Sequence, residues 1–359
     1  MSSLALIEER LSEVRPPGTA RHILELGMVR GIDLREGVVT IRFAPATLPP
    51  PLVNAIKADI EKRVGALEGV SRVEVQVEAP AAPQAGASPM AQQAPIPGVR
   101  DIIAVASTKG GVGKSTVATN LALALSALGK RVGLLDADVY GPSLPMMLGL
   151  SGRPEMSDDK RIRPMEKYGL QLMSMGFFLD DASPVIWRGP MVMGLVRQFL
   201  KDVDWHDLDI LVIDLPPGTG DAQLTLVQQV PLAGGVVVTT PQDVATLDVE
   251  RGIAMFQHLN TPVFGVIENM SFYECPTCGQ REDLFGIGGG DRIAARAGVP
   301  VLGHIPLLPE VRAGGDAGQP IVVTHPEHPV SRLFETMARQ VVDAIELERA
   351  ATAPPTIIG

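Results

Sequence analysis

The sequence predicts an α/β protein in which a doubly wound, mostly parallel sheet follows a small α+β domain. Three observations carry that expectation. Short runs that are apolar on both faces alternate with amphipathic helical stretches over most of the chain, as strands buried between two helix layers do. The first of these runs turns through three glycines directly into a helix. An uncharged stretch rich in Ala, Pro, Gln and Gly sets all of this apart from the N-terminal region.

Residues 1–78 read as helix, strand, strand, helix, strand. Leu4, Ile7, Leu11 and Val14 form a helical stripe. Val38–Phe43 alternates after the turn-forming Arg35-Glu36-Gly37. Val53, Ile56, Ile60 and Val64 share one face of a helix over 52–67, and Val73, Val75 and Val77 alternate as a closing strand. Residues 79–98 have the composition of a flexible, partly extended linker, with no charge between Glu78 and Arg100. The large domain is expected at 99–350, with a tail at 351–359. Its strands are expected at 102–107, 132–136, 210–214, 236–239, 263–267 and 301–305. Helical patterns such as 115–128 and 244–259 supply the crossovers. No internal repeat is visible.

The chain has 359 residues, 45% of them hydrophobic, enough for a substantial core. A formal charge of −10 argues against a chain-wide nucleic-acid or anionic-membrane surface. Met1 to Ala5 lack the pattern of a signal peptide, and no apolar run approaches the roughly 18 residues of a spanning helix. A cytoplasmic protein with no nucleic-acid or membrane partner is the expectation.

The strand over 102–107 leads into Thr108-Lys109-Gly110-Gly111-Val112-Gly113, and a helix opens at Lys114-Ser115-Thr116. Strand, glycine loop, Lys-Ser and helix in this register predict a P-loop that binds ATP. The glycines at 110, 111 and 113 let backbone N–H groups approach phosphate oxygens, and the helix N-terminus adds its own. Lys114 would reach the β- and γ-phosphates and the Ser115 hydroxyl would ligate magnesium. Two departures stand out: Thr108 holds a position usually given to glycine, and Lys109 is additional. An ordinary glycine-rich turn before a helix is the plain alternative.

Carboxylates follow where such a fold would put them, at the carboxyl ends of parallel strands. Asp136 and Asp138 close the run at 132–136, and Asp214 closes the run at 210–214. Asp214 would hold magnesium, through water, and one of Asp136 and Asp138 would orient the attacking water. An aspartate at a strand end also serves simply as a helix N-cap.

The segment Lys109 to Thr116 resembles the signature of the deviant Walker A ATPases, which include the nitrogenase iron protein, MinD, ParA and the Mrp/ApbC iron–sulfur carriers. Further strings narrow the resemblance to the Mrp/ApbC carriers. Leu135-Asp136-Ala137-Asp138-Val139-Tyr140-Gly141-Pro142-Ser143 is similar to their first switch region. Ile213-Asp214-Leu215-Pro216-Pro217-Gly218-Thr219-Gly220-Asp221 is similar to the second, and Val266-Ile267-Glu268-Asn269-Met270-Ser271 leads into the Cys275/Cys278 pair as theirs does. The resemblance implies a homodimer with nucleotides near the interface and Lys109 contacting the phosphates bound to the partner. It also implies that Asn269 recognises adenine and that Pro306 to Arg312 form part of the base-binding wall. The N-terminal module resembles the small iron–sulfur assembly module (domain of unknown function 59), notably in Leu26-Gly27-Met28-Val29. Many relatives carry a cysteine near the loop held here by Ala44 to Pro49; this chain has none there, so the module has no thiol role.

The chain's two cysteines are Cys275 and Cys278. Thiolates suit iron–sulfur clusters or zinc, but a four-iron cluster or closed zinc site needs four ligands. No other cysteine exists, and no histidine lies at a recognisable ligand spacing. The arithmetic closes if two subunits each give Cys275 and Cys278 to a [4Fe-4S] cluster across a two-fold axis. A bridging structural zinc, a redox pair and two inert thiols are the other readings.

Together these features lead to a slowly ATP-hydrolysing carrier. It would take a labile cluster from assembly scaffold proteins and pass it to apo iron–sulfur proteins, with Lys109, Lys114, Asp136 and Asp138 as catalytic residues. The alternative is a MinD/ParA-like positioning or partition ATPase with a zinc at the cysteines. Against it, the region 341–349 is acidic, where MinD-like proteins have a basic amphipathic helix.

Overall fold

The computed structural model describes residues 4–14, 22–24, 28–35, 37–44, 50–67, 69–77, 93–139, 141–178, 194, 198–218, 221–275 and 277–352. Of the segments singled out in the sequence, Leu26, Gly27, 45–49, 79–92, Tyr140, Thr219, Gly220, Pro276 and 353–359 lie outside the described residues. The chain divides into two compact units, Met1–Ser88 and Pro89–Gly359.

In the smaller unit, α1 (Leu4–Leu11) precedes β1 (Val29–Arg35) and β2 (Val38–Phe43), followed by α2 (Pro50–Gly65) and β3 (Arg72–Val77). The sheet order is β1-β2-β3, with β1 antiparallel and β3 parallel to β2. A parallel pair needs a crossover, and α2 provides it. Ile7, Leu11, Ile41, Phe43, Ile56, Ile60 and Val64 are buried in one cluster, so the helical and alternating patterns converge on a single core. Arg63 of α2 donates to Asp59 one turn earlier in the same helix at 2.9 Å and to Glu13, just past α1, at 2.8 Å, linking α2 to the end of α1.

The larger unit runs β4 (Val99–Ala106), α3 (Lys114–Ala127), β5 (Val132–Asp136), α4 (Leu144–Met147), β6 (Met165–Lys167), β7 (Leu170–Ser174), β8 (Leu208–Asp214), α5 (Asp221–Val227), β9 (Gly234–Thr239), α6 (Asp243–His258), β10 (Val263–Glu274) and β11 (Arg281–Glu282). Then come α7 (Gly289–Ala297), β12 (Val301–Leu307), α8 (Pro309–Asp316), α9 (Ile321–Thr324) and α10 (Pro329–Thr352). Nine strands form one sheet in the order β11-β10-β9-β4-β8-β5-β7-β6, with β12 pairing parallel to β10. Among the described strands of this sheet, β6 and β11 are antiparallel to their neighbours and the rest are parallel. Alternate residues of each strand face two separate cores. Ala104, Leu135, Ile213 and Val237 meet α6 and α7 on one side, and Val105, Leu134, Val212 and Val236 meet α3 and α10 on the other. This is the doubly wound, mostly parallel sheet the sequence predicts.

Three features depart from the expected elements. Strand β10 continues to Glu274, seven residues past the expected end at Ile267, because it pairs with β12 at Glu268, Asn269 and Tyr273 and with β11 at Tyr273 and Glu274. The hairpin β6–β7 was not expected: its turn at Tyr168-Gly169 places both residues at positive φ, 51° and 78°. Residues 93–98, expected as linker, lie against the larger unit, with Ile96 buried and the Ala94 N–H donating to Gln229 O at 3.1 Å.

Candidate functional site

Strand β4 and helix α3 meet in a loop whose shape is set by glycine. Gly111 and Gly113 stand at φ 80° and 77°, in the left-handed region that a side chain disfavours. A Cβ at Gly110 or Gly111 would meet no atom within 4 Å beyond the adjacent residues, so the bare backbone faces open space rather than a neighbouring element. A Cβ at Gly113 would collide with the Asn269 side chain instead. Asn269 is buried midway along β10 and donates from Nδ2 to Val112 O at 2.8 Å, clamping the loop. The Ser107 hydroxyl donates to Lys109 O at 2.9 Å. Lys109 is half-buried in the loop, and Ser115 and Thr116 open α3 behind it.

Behind the loop, Lys114 and Asp214 form a buried ion pair, and the Lys114 ammonium also donates to the Ser115 hydroxyl at 3.4 Å. Burial pushes the Asp214 carboxyl up, and the Lys114 charge and the Ser115 hydroxyl work against that. Sheet register explains the clustering, since Asp214 of β8, Asp136 of β5 and Ser174 of β7 stand in one row across the strand ends.

Asp136 is fully engaged. Its Oδ1 accepts from the Asp138 N–H at 3.0 Å, and its Oδ2 from Ser143 N–H at 3.1 Å, Leu144 N–H at 3.2 Å and Ser174 Oγ at 3.0 Å. It thus ties the loop after β5 and the start of α4 to the sheet. Burial, reinforced by the Asp214 charge, pushes its carboxyl up to about 7. Asp138 is half-exposed and accepts from Gly141 N–H at 3.2 Å.

The loop after β8 is attached to the P-loop base at Ser107. Gly218 N–H and Gln223 Nε2 both donate to Ser107 O, at 3.0 and 3.2 Å, and Gln223 also donates to Pro216 O. Gln223 was not singled out from sequence, because a glutamine one turn into a helix carries no pattern.

A cavity of about 220 Å³ opens beside the loop, lined by Gly113, Thr116, Asn269, Pro306, Leu308 and Arg312 among others. Met146 and Met147 of α4 complete its apolar side. It is a mostly apolar cleft with a few polar groups, directly beside the glycine loop. The structure therefore brings Asn269 and Pro306 together with the P-loop; the two methionines were not anticipated, since the sequence shows nothing that sets them apart.

Cys275 and Cys278 lie beyond the far end of β10, away from the loop. The Cys275 N–H donates to Gln280 O at 2.9 Å and the Gly279 N–H to Cys275 O at 2.8 Å, closing a tight turn into β11. Cys275 is half-buried and Cys278 exposed. Backbone N–H groups of Cys278 and then Thr277 point at the Cys275 sulfur and hold its thiol below the usual range, favouring the thiolate that binds metal. A second cavity of about 570 Å³ adjoins Cys275 and is also lined by His304 and His328. His304 is 3.1 Å from Asp291 Oδ2. Among the described residues, no group of three or more His, Cys, Asp or Glu side chains could hold a metal ion, so one chain offers the cysteines an incomplete ligand set. No described helix is long and apolar enough to cross a membrane.

Comparison with known proteins follows this division. Residues 98–342 match the family model described as NUBPL iron-transfer P-loop NTPase, and residues 4–77 match that of an iron–sulfur cluster assembly protein. The chain is 46% identical to an iron–sulfur cluster carrier protein of Synechocystis sp. over 94% of its own length and 96% of that protein. It is 42% identical to the iron–sulfur cluster transfer protein NUBPL of Mus musculus, covering 90% and 97%. Among solved structures, a nucleotide-binding protein from Archaeoglobus fulgidus in complex with ADP superposes with a TM-score of 0.57 at 38% identity, covering 66% of this chain and 93% of that one. The cell-division ATPase MinD of Pyrococcus furiosus gives a TM-score of 0.52 at 22% identity over 68% of this chain and 98% of its own, which is likeness of fold.

Proposed function

This chain belongs to the iron-transfer P-loop NTPase family, and from that premise we propose that it is an iron–sulfur cluster carrier that binds and slowly hydrolyses ATP. Its cargo is a labile [4Fe-4S] cluster held between two subunits by Cys275 and Cys278 of each. Assembly scaffold proteins supply the cluster and apo iron–sulfur proteins receive it. The observation that carries this reading is the incomplete thiol pair, with one thiol biased towards thiolate, at the end of the same strand that clamps the P-loop.

The residues divide the work as follows. The loop 108–113 and the start of α3 bind the phosphates, and Asn269 with the Pro306 side of the cavity receives adenine. Lys114 transfers its ion pair from Asp214 to the β- and γ-phosphates as nucleotide enters, and Lys109 reaches phosphates bound to the partner. The Ser115 hydroxyl and Asp214 carboxylate are adjoining hard oxygen donors, which fits magnesium. Bound there, the ion would neutralise charge on the β- and γ-phosphates. Of the two strand-end aspartates, Asp138 has the exposure to orient the attacking water, while Asp136 anchors the loop that carries it.

Helix α10 argues against a membrane or DNA output. Its apolar face, including Phe334, Met337, Val341 and Ile345, is buried in the core, and Arg349 pairs with Asp101 of β4. A helix so committed has no apolar face to lend to a lipid surface.

The test is anaerobic reconstitution with iron and sulfide. The dimer should gain a broad visible chromophore that passes to an apo acceptor, and Cys275→Ala or Cys278→Ala should abolish it. A chromophore that survives both substitutions would sink the carrier reading.

A further inference from the structure

The nucleotide cavity and the cavity beside Cys275 share a wall, since Pro306 and Leu308 line both. They also share a strand. Asn269 and Met270 of β10 face the first cavity, and Phe272 and Glu274 face the second. Between these pairs the ladder to β12 breaks. Asn269 pairs with Ile305 and the next pair is Tyr273 with Leu307, so residues 270–272 stand opposite Pro306 alone. Pro306 has no N–H to donate, and a bulge of this kind re-aims side chains at a functional site.

The bulge is ordered at every step. Met270 stands at φ 55°, in the left-handed region uncommon for a residue with a side chain. The Ser271 hydroxyl donates to the buried Glu268 carboxylate at 2.5 Å, and the Arg281 guanidinium lies 3.7 Å from the centre of the Phe272 ring. A segment pinned on both sides moves as a unit. The loops that would sense the γ-phosphate are anchored elsewhere, at Asp136 and Ser107, and among the described residues none of them lines the cysteine cavity.

Given the nucleotide site assigned above, we propose that the Met270–Phe272 bulge and Pro306 are positioning elements through which an adenine nucleotide acts on Cys275, and that they read the base rather than the γ-phosphate. A purine packed on Pro306 and Leu308 holds the common wall against the cysteine cavity and narrows the approach to the half-buried thiol. ADP and ATP carry the same base and act alike; a phosphate chain without a base does not act.

The test uses the metal-free full-length protein and iodoacetamide, with mass spectrometry resolving the two thiols. Saturating ADP or ATP should slow alkylation of Cys275 about fivefold, the lower end of usual coupling energies, while the exposed Cys278 changes less. Inorganic tripolyphosphate should leave both rates unchanged. Met270→Gly, measured at saturating nucleotide, should lose the ratio by freeing the bulge, and Met270→Leu, which keeps the bulk and the left-handed strain, should retain it. An unchanged Cys275 rate with ADP shown to be bound by calorimetry, or equal slowing by tripolyphosphate, overturns the base-reading link. Failure of ADP to bind at all would instead refute the nucleotide site on which the link depends.

Discussion

Asp214→Asn tests how the site is held before nucleotide arrives. Lys114 is 6% exposed and Asp214 2% exposed, so each charge depends on the other for its compensation. Asparagine keeps the shape and removes the charge, leaving the Lys114 ammonium buried beside a neutral amide. Breaking a buried pair by removing one partner costs about 3–5 kcal/mol. For a unit of this size, about 2–4 °C is lost per kcal/mol, so the melting temperature should fall by roughly 6–20 °C. Two further measurements separate charge from packing. ADP added without magnesium brings phosphate to Lys114 and should recover part of the loss. Lys114→Met combined with Asp214→Leu should also recover stability while abolishing nucleotide binding, because an apolar pair of similar volume often replaces a buried ion pair at little cost. Differential scanning fluorimetry reads all three. An Asp214→Asn protein that melts with the parent, or a double variant less stable than the single one, would refute the assignment of Lys114 as a buried charge held by Asp214.

Three further outcomes are expected. Asn269→Ala leaves Val112 O without its donor and should cost about 1–3 kcal/mol in denaturant unfolding; it should also weaken ADP binding in calorimetry while sparing tripolyphosphate. Lys109→Ala should slow nucleotide-dependent release of the reconstituted cluster more than it lowers iron content, and unchanged transfer kinetics would argue against its contact with the partner's phosphates. Asp136 titrates at about 7 in the folded chain, above its ordinary value of 3.8, because burial and then the Asp214 charge disfavour ionisation. The folded state therefore holds a proton that the unfolded state gives up between those values. Stability should fall as pH rises through that window and level off above it, and Asp136→Asn should flatten the slope in urea titrations.

Much of the fold was legible because its strands are buried on both faces and so read as uninterrupted apolar runs. Val132–Asp136 appears with the same bounds in sequence and structure, and Ile103, Val105, Val212 and Val236 are all buried as that pattern requires. Where pairing rather than apolarity defines a strand, the sequence is silent. Glu268 and Asn269 look like loop, yet they extend β10 because His304 and Ile305 of β12 pair with them. The hairpin β6–β7 was missed for a related reason: Leu170–Ser174 contains no β-branched residue, and its turn is marked by Tyr168-Gly169 alone. In the site, glycines and lysines at fixed offsets announce the P-loop, whereas Gln223, Met146 and Met147 reach it only through tertiary placement. His304 and His328 show the same limit, since no spacing in the chain relates them to Cys275, beside whose cavity they lie.

What separates this chain from other proteins of its architecture lies outside the shared sheet. The MinD likeness covers the P-loop core at 22% identity and so fixes the fold while leaving the output open. Two local features bear on the output. The first is α10, whose apolar residues are spent on the core and whose end is tied to Asp101, so nucleotide has no free amphipathic helix there to regulate. The second is the continuation of β10 past the cavity beside the P-loop to a pair of thiols. A strand can carry polar residues that far only if neighbours satisfy its backbone; β12 pairs with it on either side of the bulge and β11 pairs with its end, while Pro306 lines both cavities. The extension therefore places the thiol pair just beyond a paired strand that also lines the cavity beside the P-loop. Under the proposed coupling, a paired strand with one bulge is the element through which the cargo site would feel the nucleotide without touching it.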